Sequence, residues 1–291
     1  MRSILPWHIP VVERLRSSAR SGSLPNALAL TGAPGWGHES LLANAAFALL
    51  ELESDQPPHE FAHPDFRWIA PEGAVIKVDQ VRRINDFAVQ TAQSAPRKVA
   101  AILDAHLLNA NAANALLKTL EEPPPNTHLL LSTPYWGKLL PTIRSRCQRY
   151  HTASDAAAAQ SWLEKQGISV SELEFAEFGY APIGAQLGKS DSEQDLTDWL
   201  SKLPEDSLAA ADTVLNGDVV EWLGRWYRRL ILHMGGQSIP GCGIGQASLI
   251  RFADEIISAR RQIESSNAAN AKLLLQSLIV RWLQLQRRPA A

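Results

Sequence analysis

The sequence predicts an α/β fold, with a parallel sheet in the first half of the chain and helices alone in the second. Short apolar runs alternate with helical patterns up to about residue 152, which is typical of strands joined by crossover helices. Beyond that point the strand signal disappears. Of the 291 residues, 45% are hydrophobic and 20% are charged, so the chain has enough apolar surface for two or three packed domains.

The predicted elements follow one another in a regular order. Strands are expected at residues 27–31, 66–69, 99–104, 128–132 and 148–151. The helices between them are expected at residues 39–50, from a cap at Asp79, at 111–121 where three prolines follow, and briefly before residue 145. In the second half, helices are expected at 156–166 and 171–178, then in a long amphipathic region whose tryptophans, Trp222, Trp226 and Trp282, belong to a core.

Charge and cysteine content exclude several classes of protein. Lys and Arg number 28 and Asp and Glu 30, so a strongly basic coat for nucleic acid is absent, although a local basic patch remains open. Two cysteines, Cys147 and Cys242, are too few for a disulfide framework or a four-cysteine zinc site. The first residues lack the apolar run of a signal peptide, so a cytoplasmic protein is expected.

A glycine-rich segment after the first strand has the context of a phosphate-binding loop. The motif has two glycines with four residues between them, then Lys, then Ser or Thr. Gly32 and Gly37 have this spacing, and Gly35 lies between them. His38 occupies the lysine position, and Glu39 occupies the position of the hydroxyl that holds Mg²⁺. The loop is therefore predicted to be degenerate, with a backbone cradle but without its cation-handling side chains.

The carboxylates expected of an ATPase are also incomplete. Asp104 ends the central predicted strand, where a carboxylate for the metal belongs. The next residue is Ala105, where a Glu often polarises the attacking water. No ATP turnover is therefore expected of this chain. Weak nucleotide binding without turnover remains open.

Two longer segments give the chain a specific resemblance. Residues 109–124, with the run Leu-Leu-Lys-Thr-Leu-Glu-Glu-Pro-Pro, resemble the hallmark segment of bacterial clamp-loader subunits, which are AAA+ proteins of DNA polymerase III. Residues 139–147 are similar to the Ser-Arg-Cys motif of that family, and residues 63–65 also fit. The resemblance implies an AAA+ parallel-sheet core at 1–152, a small helical lid at 153–190 and an all-α collar domain at 191–291.

The resemblance also implies a function. The chain would be a non-hydrolysing subunit of a hetero-oligomeric ring that loads the sliding clamp onto primed DNA. Its partners would be the gamma/tau ATPase subunits and the delta subunit, and the clamp and DNA indirectly, with no membrane. Arg146 would be an arginine finger offered in trans to the ATP of a neighbouring subunit, and Ser145 and Cys147 would shape the turn that presents it. On residue type alone, a solvated surface arginine is the favoured interpretation of Arg146, and it is the motif that favours the finger.

One feature of the family is missing, and one motif is misleading. Family members commonly carry a cysteine-rich zinc module after the first core helix, but residues 51–62 contain no cysteine, so no structural zinc is expected. His59, Glu60 and His63 match the His-Glu-x-x-His pattern of zinc proteases. Prolines on both sides leave little more than one helical turn, so no catalytic zinc is expected either. No cofactor is predicted.

Two other functions remain as alternatives. An active ATPase motor of the same ring would need the chemistry that positions 38, 39 and 105 do not supply. An independent DNA-binding module would need a basic surface, for which Arg225, Arg228 and Arg229 are candidates. The simpler interpretation of these arginines is a solvated helix face or a contact with acidic residues of another subunit.

Overall fold

A five-stranded, all-parallel sheet forms the centre of the first half of the protein in the computed structural model, which describes residues 4–191, 196–205, 207–237, 239, 242–265 and 271–287. The strands are β1 (Ala27–Thr31), β2 (Phe66–Ile69), β3 (Lys98–Ile102), β4 (Thr127–Thr133) and β5 (Gln148–His151). They confirm the five predicted strands to within three residues at each end. Their spatial order is β2-β3-β4-β1-β5. The order reverses beside β1, and ligands of open parallel sheets bind at such a point.

Helices cover both faces of the sheet. They are α1 (Ile9–Arg20), α2 (His38–Leu50), α3 (Val78–Ala88), α4 (Ala110–Glu121) and the single turn α5 (Pro141–Arg144). Side chains alternate along each strand, so Leu28 and Leu30 of β1 join one buried cluster with α1 and α2. Ala27, Leu129 and Leu131 join a second cluster with α3 and α4. The core therefore has two layers, one on each face of the sheet.

Two helix starts differ from the sequence prediction. Helix α1 was not predicted, because its apolar residues are few and charged residues separate them. Asp79 was predicted as the cap of α3, but the cap is Lys77, whose backbone N–H donates to the side-chain oxygen of Gln80 at 2.9 Å. Asp79 lies instead in the first turn, where a carboxylate favours the positive end of the helix.

The described part of the second half is helical. Its helices are α6 (Ala156–Lys165), α7 (Glu172–Glu177), α8 (Pro182–Asp191), α9 (Leu196–Lys202), α10 (Ser207–Leu215), α11 (Val219–Met234), α12 (Gln246–Ser265) and α13 (Ala271–Gln286). By its internal contacts the chain divides into two compact units, Met1–Trp162 and Leu163–Ala291. The predicted division at residues 152 and 190 stays a prediction. Among the described residues, no helix is both long and apolar enough to cross a bilayer.

Aromatic side chains fill the core of the second unit. Trp222 and Trp226 of α11 and Trp282 of α13 are buried, as predicted, together with Trp199 of α9 and Phe252 of α12. The rings of Trp226 and Trp282 meet edge to face with centroids 5.9 Å apart. Such contacts add to the free energy that burial of the rings already contributes.

Candidate functional site

The segment between β1 and α2 forms a tight turn that requires glycine. Gly35 and Gly37 have φ of 74° and 79°, in the left-handed region that side chains with a Cβ disfavour. Gly37 is the residue immediately before α2. A Cβ on Gly32 would lie 2.5 Å from the hydroxyl oxygen of Thr152, so any other residue there would have to displace that side chain. The three glycines therefore allow the backbone of this turn.

An N-terminal aromatic segment fastens this loop from one side. Trp36 is buried, and its carbonyl oxygen accepts hydrogen bonds from Trp7 Nε1 and His8 Nε2, both at 2.9 Å. The rings of Trp7 and Trp36 meet edge to face at 5.2 Å. Sequence reasoning missed this contact, because Trp7 and His8 lie far from the loop along the chain.

The hydrogen bond to Trp36 fixes the protonation of His8. A carbonyl oxygen only accepts, so Nε2 of His8 carries the proton. Burial lowers the pKa of His8 to about 4, although the Trp36 carbonyl opposes this, and the nearby His38 lowers the pKa further. His8 is therefore neutral at physiological pH.

The first residue of α2, His38, contacts Asp104, the second residue after β3. His38 Nε2 lies 2.9 Å from Asp104 Oδ1, and each side chain is about a quarter exposed. Burial raises the pKa of Asp104, but the hydrogen bond with His38 and the charges of His38 and His106 outweigh it, so the net pKa lies below its ordinary value. The two predicted site residues are thus brought together, each as the other's partner.

Two further residues extend this contact, and sequence reasoning did not find them. His106 Nδ1 lies 3.8 Å from Asp104 Oδ1 and 3.0 Å from the hydroxyl of Thr133 at the end of β4. Burial lowers the pKa of His106, and the positive charge of Lys138 lowers it further, while Asp104 opposes both. Glu39, by contrast, is exposed in the first turn of α2. Its carboxylate stands where a metal-binding hydroxyl would be needed.

The predicted arginine finger, Arg146, does not belong to this loop and follows helix α5. The guanidinium of Arg146 pairs through one terminal nitrogen with the carboxylate of Glu121. Its other terminal nitrogen donates to the carbonyl of Thr142 at 2.9 Å and to the Ser145 hydroxyl at 3.3 Å. The Ser145 hydroxyl also donates to Thr142, at 3.1 Å. About one third of the Arg146 side chain is exposed, so the group is available at the surface while its own chain holds it.

The two cysteines are ordinary thiols. Burial raises the pKa of Cys147 to about 12, as expected for a cysteine that packs behind the turn. Cys242 is half-buried against the core of the second unit, and burial raises its pKa also. Neither thiol is a nucleophile at neutral pH.

The residues of the zinc-protease pattern do not converge. His59 and Glu60 are both exposed. The ring of His63 stacks on Phe61, and its Nδ1 accepts the backbone N–H of Asp65 at 3.1 Å. Within the described residues, no group of three or more His, Cys, Asp or Glu side chains is arranged to hold a metal ion.

Asp65 of the His-Pro-Asp segment has a structural role. It is fully buried, and its carboxylate accepts the backbone N–H groups of Gln93, Ser94 and Ala95 at 2.7–2.8 Å. Burial raises the pKa of Asp65, but these hydrogen bonds outweigh it and lower the pKa to about 2. Asp65 therefore fixes the loop between α3 and β3 to the start of β2.

The arginines of the candidate basic patch on α11 pair with acidic residues of the same chain, and two of them are buried. Glu177 of α7 is buried, and its carboxylate lies 3.3 Å from Arg229 and 3.8 Å from Arg225, both buried on α11. Arg228 pairs with Glu221 at 2.5 Å and donates to the carbonyl of Glu177. The interpretation of Arg225 and Arg229 as a solvated face is therefore wrong, because both are buried beside a carboxylate of the same chain. Arg228 stays partly exposed.

Comparisons with known proteins agree with one another. A family model described as DNA polymerase III, delta subunit, matches residues 7–156. The DNA polymerase III subunit delta' of Pseudomonas aeruginosa is 30% identical over 98% of this chain and 99% of its own length. The subunit of that name from Haemophilus influenzae is 35% identical over 60% of this chain and 57% of its own.

A solved structure gives the same picture of the fold. A DNA polymerase III gamma subunit-related protein from Thermotoga maritima superposes with a TM-score of 0.62 at 18% identity, covering 95% of this chain and 99% of its own. At that identity the likeness concerns the fold, and it agrees with the predicted parallel-sheet core followed by helices.

Proposed function

Since the chain belongs to the DNA polymerase III delta' family of clamp-loader subunits, we propose that it is the member of the ring that does not hydrolyse ATP. It supplies Arg146 in trans to the ATP of a neighbouring gamma/tau subunit. With those subunits and delta it helps to place the sliding clamp on primed DNA in the cytoplasm. The core, lid and collar of such a subunit correspond to residues 1–152, 153–190 and 191–291.

The hydrogen bond between His38 and Asp104 carries the non-hydrolysing part of the proposal. In a working site, a lysine at position 38 reaches the terminal phosphates, and the carboxylate after β3 helps to hold Mg²⁺. Here these two positions bind each other at 2.9 Å. Glu39 adds a negative charge where the triphosphate would lie, and Ala105 supplies no carboxylate for the attacking water.

The chemistry of the Ser145–Arg146–Cys147 turn supports the finger. A guanidinium is charged at every physiological pH and has a planar fork of donors that matches phosphate oxygens. Arg146 lies two residues after a four-residue helix, and buried Ile143 fixes the backbone of that helix. Such a rigid turn with a partly exposed cationic tip suits delivery of charge to a site on another chain.

An assembly experiment tests the proposal. The chain alone and the chain mixed with its gamma/tau and delta subunits are assayed for Mg²⁺-dependent ATP turnover on primed DNA with the clamp. The chain alone is expected to show no turnover. In the mixture, Arg146→Ala is expected to remove nearly all turnover at the one site that the finger serves, because an arginine finger contributes ~10³–10⁵ there. The total rate is expected to fall by at least the share of that site, since the other sites of the ring keep their own fingers.

Arg82→Ala is the matched control. Arg82 is an exposed arginine of the same unit, in a surface pair with Asp79. Its loss is expected to leave turnover unchanged. Brisk turnover by the single chain would overturn the non-hydrolysing role, and full turnover with Arg146→Ala would overturn the finger.

A further inference from the structure

Arg146 is not free in the chain as it stands. One terminal nitrogen pairs with Glu121, and the other donates to Thr142 and Ser145. Both ends of the guanidinium fork therefore face groups of the same subunit. A finger that serves a phosphate on a neighbouring chain has to leave at least one of these partners first.

The backbone holds Glu121 and Arg146 next to each other. Glu121 is the last residue of α4, and the buried side chain of Leu120 precedes it. Ile143, three residues before Arg146, packs in the same buried cluster as Leu120. Apolar packing thus fixes both backbones, while the two charged tips meet at the surface.

The position of Glu121 is unfavourable for a carboxylate by itself. The C-terminal end of a helix carries partial negative charge, and acidic side chains there are repelled. Glu121 and Glu122 occupy this end of α4, whereas Arg146 approaches it as a cation. The Arg146 guanidinium therefore neutralises the Glu121 carboxylate, whose negative charge is unfavourable at this end of the helix. The same negative charges attract the guanidinium to this place.

We propose that Glu121 is a positioning residue that holds Arg146 in the free chain and releases it to the triphosphate of the neighbouring subunit. The proposal rests on the trans role of Arg146 proposed above. A triphosphate carries more negative charge than one carboxylate, and its oxygens match the guanidinium fork, so it displaces Glu121 once it is close. Delivery of the finger then depends on a nucleotide being present next door.

The expected effect follows from the strength of an exposed ion pair. Such a pair changes an equilibrium by about two- to fivefold. Glu121→Gln keeps the shape and removes the charge. It is expected to lower, by about two- to fivefold, the concentration of this chain that half-saturates ATP turnover of the gamma/tau and delta mixture. The rate at saturation is expected to stay the same, because the bound finger no longer contacts Glu121.

Glu122→Gln is the matched control. It removes the same charge one residue away at the same exposed helix end, and it is expected to change neither quantity. A second readout uses the chain alone: phenylglyoxal modification of Arg146, followed by mass spectrometry, is expected to be faster in Glu121→Gln than in Glu122→Gln. A role limited to folding would not change this rate selectively.

The outcomes separate this inference from the proposed function. If Arg146→Ala leaves turnover unchanged, the finger is wrong and the inference fails with it. If Arg146→Ala lowers turnover, the finger stands. The holding role of Glu121 is then overturned if Glu121→Gln leaves the half-saturating concentration unchanged or raises it, or if it lowers the rate at saturation. In the Arg146→Ala background, Glu121→Gln is expected to have no effect, and an effect there would also overturn the holding role.

Discussion

The exchange of a lysine for a histidine at position 38 has two chemical consequences at once. The imidazole is too short to reach terminal phosphates in the way that a lysine does. It also lies 2.9 Å from Asp104, so the carboxylate that a metal would need already has a partner. One residue type therefore shortens the reach of the side chain from the loop and occupies the acid opposite it.

His8 makes the stability of the first unit dependent on pH. Its pKa is about 4 in the folded chain, against an ordinary value of 6.5. Between these pH values His8 binds a proton in the unfolded chain but not in the folded chain. Its contribution to the free energy of unfolding is therefore fully present above pH 6.5 and is lost as pH falls toward 4. From pH 7.5 to pH 5, His8 is expected to lower the free energy of unfolding by ~2 kcal/mol.

The variant His8→Gln isolates this contribution. A glutamine amide can still donate to the Trp36 carbonyl but does not titrate. Urea unfolding followed by tryptophan fluorescence at both pH values is expected to show a loss ~2 kcal/mol smaller in the variant than in the unmodified chain. His106 and His128 also have lowered pKa values, but they remain in both proteins and cancel in the comparison. Equal losses of unfolding free energy in the two proteins would contradict the assignment of this pH dependence to His8.

At the scale of elements, Asp65 joins the start of β2 to the loop that leads into β3. Asp65→Asn replaces one of the accepting oxygens with an NH₂ group that faces backbone N–H donors. The variant is expected to lose ~2–3 kcal/mol of unfolding free energy at pH 7, because hydrogen bonds to a buried charge are among the stronger ones. Asp79→Asn, at an exposed carboxylate in the first turn of α3, serves as control and is expected to change the unfolding free energy by less than about 1 kcal/mol.

Acid titration gives a second test of Asp65. Its pKa is about 2 in the folded chain and 3.8 ordinarily, so its contribution is present above pH 3.8 and is lost as pH falls toward 2. The difference in stability between the unmodified chain and Asp65→Asn is therefore expected to shrink in that window. Differences that stay constant from pH 7 to pH 2 would show that the charge of Asp65 is not what holds the loop.

The strands were predictable from the sequence because central parallel strands are continuous apolar runs, as in β1 and β4. The tight turn after β1 was predictable because Gly35 and Gly37 permit the left-handed backbone that it adopts. Contacts between distant segments were not predictable, since no local pattern indicates that Trp7 and His8 bind the Trp36 carbonyl. The cap of α3 at Lys77 was missed for a related reason: a glutamine supplies the capping oxygen from inside the helix.

At the scale of the whole molecule, the net charge can be counted from the sequence, but the burial of each charged side chain cannot. The formal charge is −2, yet Arg225 and Arg229 lie inside the second unit with Glu177. The ring of Phe178 lies 4.4 Å from the Arg225 guanidinium, which shields it further. These arginines therefore contribute to packing between α7 and α11 and give no basic surface for DNA.

Removal of the buried carboxylate tests this account of the second unit. Glu177→Gln leaves Arg225 and Arg229 without that negative charge in a site closed to water, and such a change costs about 3–5 kcal/mol. Urea unfolding followed by circular dichroism is expected to show a loss of ~3 kcal/mol, and hydrogen exchange is expected to accelerate in α7 and α11. Glu172→Gln, on the exposed side of α7, is the matched control and is expected to cost under about 1 kcal/mol. If both variants lose the same small amount, the arginines do not depend on Glu177, and a role for them at the surface would have to be considered again.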